Sequence, residues 1–228
     1  MRRFCRSLAV AVLSVSFAVL GPALPHAQGN NPQIIPPQAK FHGLSYGEWE
    51  TKWWQAAFAI PIVGGDHPLF SGGIFGEEKG IRFLSGVGGG PTINITIPPG
   101  TALFFPIINA ECSSLEGGTP FYGGTEAEQR ACANNIIDNV SGLSAEVDGR
   151  SVQNLGRYRT QSPQYTFTLP ADNILAVPGG SVGTSVDAGF YLLLAPLSVG
   201  RHTIHFTGTF DLFSFTIDTT YQITVSPK

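Results

Sequence analysis

The chain has 228 residues, 13 basic and 16 acidic side chains and a formal net charge of −3, and only 13% of its residues are charged, against about 25% in a typical soluble protein. So few cations on a slightly acidic chain argue against nucleic acid or an anionic lipid surface as a partner. The length suits one domain with a sizeable core.

The first segment reads as a secretory signal peptide over residues 1–27. Arg2, Arg3 and Arg6 form a basic start, an apolar run from Leu8 to Leu20 follows, and Gly21, Pro22, Ala23, Pro25 and Ala27 provide small residues and breaks. The apolar run is too short for a membrane span, and cleavage is expected after Ala23 or Ala27. The expected location is therefore secreted or periplasmic, with no membrane span left after cleavage. Without the leader's arginines, ten basic residues face sixteen acidic ones, a formal balance of about −6. Residues 28–41, rich in Asn, Gln and Pro, read as an extended, loose lead-in to a β-rich globular domain over 42–228.

Ser45 and Glu48 form a capping box ahead of a helix that Pro61 must end. All three tryptophans lie on it: Trp49, Trp53 and Trp54. Trp49 and Trp53 could offer an aromatic platform to a sugar ring, or the apolar arc could be the core face of a helix laid across a sheet. Trp53 and Trp54 point about 100° apart, so the rings form no single flat surface, and the width of the arc favours the core. Glu50 falls inside that arc and is its one misfit, which makes it the residue of this helix where a functional role is to be sought.

A long Gly-rich loop is expected over residues 64–90, carrying Asp66 and His67. Its Gly86–Pro91 end is followed by a strand pattern, which does not suit a phosphate loop. Ile93, Ile95 and Ile97 alternate with polar residues as in a half-buried strand, and the run from Leu103 to Ile108 reads as a strand buried on both faces. Glu111 stands at the end of that run, beside Cys112. A carboxylate there is a candidate for binding or acid–base work together with Asp66 or His67, or else a turn carboxylate bonded to loop amides. In an oxidising compartment Cys112 and Cys132 are expected to form a disulfide. Cys132 lies on a second helix, from about Glu126 to Asn139, capped by Thr125 and Glu128.

The rest of the chain reads as strands. Leu143, Ala145 and Val147 lead into an Asp148–Gly149 hairpin turn; Tyr165 to Leu169, Phe190 to Ala195, His202 to Phe206 and Phe215 to Val225 follow. Gly179 to Gly183 matches the G-x-S-x-G nucleophile pattern, but an apolar β run follows where the motif needs a helix. His202 and His205 are three apart on a strand and point to opposite faces, so they do not chelate one ion. No metal and no cofactor are expected. The fold class is mainly β: a single β-sandwich or jelly-roll-like domain with two packed α-helices.

The combination of Tyr46-Gly-Glu-Trp49, Trp53-Trp54, the Ile97–Asn109 segment and Gly200-Arg-His-Thr-Ile-His205 resembles a group of uncharacterised exported bacterial proteins, over most of the mature chain. That group brings no known activity. The Leu194–Val225 segment is also similar to the closing strands of bacterial immunoglobulin-like domains. The leading functional expectation is an exported, non-catalytic binding or structural module, with carbohydrate or an envelope protein as the partner classes left open. The competing expectation is a secreted hydrolase or carbohydrate-active enzyme using Glu111 with Asp66 or His67.

Overall fold

A computed structural model describes residue 31 and residues 33–227; the expected signal peptide and Cys5 lie outside the described residues. The elements in chain order are α1 (Tyr46–Phe58), α2 (Pro68–Ser71), β1 (Gly73–Glu78), β2 (Ile81–Ser85), β3 (Thr92–Ile97), β4 (Ala102–Ser113), α3 (Glu126–Asp138), β5 (Val140–Val147), β6 (Arg150–Ser151), β7 (Arg159–Gln161), β8 (Tyr165–Thr168), β9 (Val182–Leu194), β10 (Gly200–Phe210) and β11 (Phe215–Val225). They build a mainly β, sandwich-like single domain. One sheet runs β1-β2-β4-β9-β7, with β8 also paired to β9, and the second runs β3-β11-β10-β5-β6.

The two long central strands explain the packing. Successive residues on a strand face opposite sides. On one side of β4 and β9, Phe104 stacks on Tyr191 at 5.1 Å and meets Tyr46 of α1 at 5.7 Å. On the other side, Phe105 stacks on Phe206 of β10 at 5.2 Å. Both strands are therefore buried on both faces, as their continuous apolar runs demand. Sheet one lies between α1 and sheet two, and α3 is tied to it by the disulfide from Cys132 to Cys112, whose Cα atoms are 6.1 Å apart.

Both long helices carry the capping boxes expected of them, Ser45 with Glu48 and Thr125 with Glu128. The Asp148–Gly149 turn has φ of 52° and 71°, the left-handed pair a tight hairpin requires. The supposed loop over 64–90 is instead α2, β1 and β2. Its glycines mask the alternation of Phe75, Ile81 and Phe83 into the core, and His67 with Pro68 starts a helical turn, His67 as N-cap and Pro68 at the first position. Within the lead-in, residues 33–35 are tied to the end of β9 and are not loose. Ile34 bridges to Leu194, the Ile35 N–H donates to the Leu193 carbonyl at 2.8 Å, and Ala195 returns a bond to Gln33 at 2.9 Å.

A buried carboxyl cluster beside an apolar pocket

Gly47 fixes the position of α1. A Cβ at this residue would lie 2.6 Å from the Gln161 carbonyl oxygen of β7, so only glycine lets the helix approach so closely. One turn further on, Glu50 is carried into the interior with no exposed surface and accepts a hydrogen bond from the Thr160 hydroxyl. The misfit of the helical wheel thus faces the sheet, where it meets Asp187 of β9.

Asp187 is also fully buried and sits directly across the sheet from Glu111, which is 6% exposed. The Tyr191 hydroxyl donates to Asp187 at 2.8 Å, and Asn109 donates to the Tyr191 oxygen at 2.6 Å. The Asp187 N–H donates to Ser162 at 2.9 Å. Glu111 accepts from the Ser185 hydroxyl and faces Glu116, which in turn accepts from Ser113 at 2.7 Å. Four carboxyls from α1, β4, the following loop and β9 therefore stand in two adjoining pairs, Glu50 with Asp187 and Glu111 with Glu116. Among the described residues none of the four forms a salt bridge.

Burial of charge governs their protonation. It pushes Asp187 up to about 7, against hydrogen bonds from Tyr191, Trp54, Glu50 and Asn109 that favour its ionised form. Burial and then the neighbouring Asp187 hold Glu50 well above the usual carboxylate range; burial and then Glu116 do the same to Glu111. Glu116 is raised by burial too, while bonds from Glu111 and Ser113 oppose the rise. Burial and the like charge of the neighbour therefore both favour keeping a proton within each pair, Glu50 with Asp187 and Glu111 with Glu116.

The cluster backs onto a pocket of about 570 Å³. β2 pairs with β4 only over Ala102–Phe104, which leaves the later part of β4 without a strand on that flank. Asn109, Ala110 and Glu111 line the pocket there, joined by Glu116, while Trp54, Leu69 and the Ile174–Leu175 loop supply apolar wall. Phe210, Phe213 and Phe215, from the β10–β11 hairpin, complete it. Phe70, Phe213 and Phe215 are 56%, 38% and 48% exposed, an apolar rim.

The residues singled out in the sequence are distributed unevenly. Glu111 and Glu50 both lie in the cluster. Trp49 and Trp53 are 0% and 1% exposed, and their indole N–H groups donate to Phe41 and Leu84 carbonyls at 3.1 and 3.0 Å, so neither ring offers a face to a sugar. Asp66 is exposed on a turn closed by the Val63–Asp66 bridge. His67 is buried and fully engaged: Nε2 bonds the Ala57 carbonyl at 3.1 Å and Nδ1 accepts from the Leu69 N–H at 3.1 Å. Burial lowers its pKa and keeps it neutral. Neither Asp66 nor His67 lines the pocket that Glu111 does. His202 and His205 bond separate aspartates, Asp148 at 2.8 Å and Asp218 at 2.9 Å, and no group of metal-ligating side chains is found among the described residues. Ser181 of the G-x-S-x-G pattern donates to the Pro178 carbonyl at 2.6 Å and is followed directly by β9.

Asp187, Glu116, Tyr165 and Trp54 complete the site without having been singled out for it. Asp187 carried a signal, as a charged residue just ahead of the apolar run that starts at Phe190. Glu116 carried none, because its place depends on how the loop after β4 folds back. Comparison with protein families, with curated proteins and with solved structures finds no match to this chain.

Proposed function

We propose that this protein is an exported, non-catalytic binding module, of the exported bacterial group its motifs resemble, and that its pocket takes a small, predominantly apolar ligand. The observation that carries the reading is an apolar-walled pocket of about 570 Å³ with a few convergent polar groups on one side, the usual make-up of a small-molecule site. The exposed phenylalanine rim supports it, since contiguous apolar surface on a folded protein marks a place where something docks. A disulfide between Cys112 and Cys132 agrees with an oxidising compartment.

The binding reading is favoured over hydrolysis by Glu111 with Asp66 or His67. Both His67 nitrogens are occupied by backbone groups, and Asp66 stands on an exposed turn outside the pocket lining. Titration of the mature protein with the neutral apolar dye N-phenyl-1-naphthylamine tests the pocket. Saturable one-to-one fluorescence enhancement that Ile174→Trp abolishes is the expected result. Absence of saturation, or binding indifferent to Ile174→Trp, overturns the reading.

A further inference from the structure

Six aromatic rings line the pocket: Trp54, Phe70, Phe121, Phe210, Phe213 and Phe215. The same pocket is lined by Glu111 and Glu116, and among the described residues no Lys, Arg or His lines it. Aromatic faces attract cations through the ring quadrupole, and a buried carboxylate is costly without a counter-charge. An anion meets only repulsion here, and a neutral apolar molecule leaves the carboxyls uncompensated.

Further groups at the cluster lack partners of their own. The Tyr165 hydroxyl, on a residue 5% exposed, faces Glu111, Asp187 and Glu116 and completes no hydrogen bond of ordinary geometry. The Trp54 indole N–H, on a residue 8% exposed that forms part of the pocket wall, and Glu50 Oε2 are both directed at Asp187 but complete no hydrogen bond of ordinary geometry. Buried polar atoms in native proteins nearly always have partners, so unsatisfied ones beside a pocket mark a place prepared for a polar guest.

We propose that the pocket recognises an organic ammonium cation, with its apolar body against the phenylalanines and its charged head at the Glu111–Glu116 pair. This rests on the pocket reading above and adds the chemical class of the ligand. The charged head supplies the counter-charge that the fold itself does not, and its arrival lets the proton held between Glu111 and Glu116 leave to solvent. Binding therefore strengthens as pH rises. The titratable groups facing the pair are Asp187 and Tyr191 of β9, Tyr165 of β8 and, behind Asp187, Glu50 of α1. All four are acids, so none of them opposes that direction.

The test displaces bound N-phenyl-1-naphthylamine with benzyltrimethylammonium or with its neutral carbon isostere, neopentylbenzene, on the mature protein. The cation is expected to displace the dye at roughly tenfold lower concentration than the isostere, with the preference larger at about pH 8 than at about pH 5. Glu116→Gln, at a half-buried loop position, is expected to erase most of that preference and leave the isostere unaffected. If the isostere competes as well as the cation, the ammonium proposal falls while the pocket reading stands. If the dye itself does not bind, both fall.

Discussion

Glu111 and Asp187 occupy facing positions on the two central strands of the sheet, both nearly removed from water. Like charges placed opposite each other on a sheet are destabilising, and this pair persists because neighbouring carboxyls, Glu116 and Glu50, let each hold or share a proton. Its consequences can be measured.

Stability depends on pH in a set direction. The carboxyls bind protons more tightly folded than unfolded, so their stabilisation is complete below the unfolded carboxylate range and is lost as pH rises through the folded values. For Asp187 that window runs from 3.8 to about 7, and the raised Glu50 and Glu111 act in the same direction. Thermal melting is expected at higher temperature at about pH 5 than at about pH 8, and Glu50→Gln is expected to flatten the slope. A melting temperature that climbs steadily over that interval contradicts the assignment.

Gly47→Ala reverses an ordinary expectation. Glycine to alanine inside a helix normally stabilises by about 0.5–1 kcal/mol. Here the added carbon lies 2.6 Å from the Gln161 oxygen, so a loss of about 1–3 kcal/mol is expected from overpacking. Chemical denaturation distinguishes the two signs.

The Cys112–Cys132 bridge spans 20 residues and holds α3 against β4. Replacing both cysteines by alanine is expected to cost about 3 kcal/mol, mainly by freeing the unfolded chain. Equal stability of the oxidised protein and the double variant, measured by urea unfolding, refutes this.

Secretion is checked by mass spectrometry of the full chain expressed in a bacterium. The expected mature N-terminus follows Ala23 or Ala27, and recovery of an intact leader on the exported protein contradicts the assignment.

Much of the architecture was legible in the sequence, and the reasons are local. Capping boxes mark both long helices, and period-two alternation marks β3, β10 and β11. The buried runs at Leu103 and Phe190 become the central strands, although the sequence could not show that they pair with each other. β1 and β2 were hidden because glycines at 73, 76 and 80 look like loop punctuation. Glu50 and Glu111 were visible as carboxylates in apolar company. Their partners were not, because the register that sets Glu111 against Asp187 joins residues 76 positions apart and depends on a β4 bulge between Pro106 and Ile108. The pairing of Glu111 with Asp66 or His67 rested on reading residues 64–90 as a Gly-rich loop, yet His67 serves as the N-cap of α2.

The three tryptophans give the most direct measurement of the pocket. Trp49 and Trp53 donate their indole hydrogens to backbone carbonyls in the core, while Trp54 lines the pocket with its N–H directed at Asp187. In a nitrogen–proton correlation spectrum of the mature protein the three indole signals are separable probes. Titration with benzyltrimethylammonium or N-phenyl-1-naphthylamine is predicted to move the Trp54 indole resonance and leave those of Trp49 and Trp53 in place. Movement of Trp49 and Trp53 with Trp54 unaffected, or no movement with either molecule, contradicts binding in this pocket.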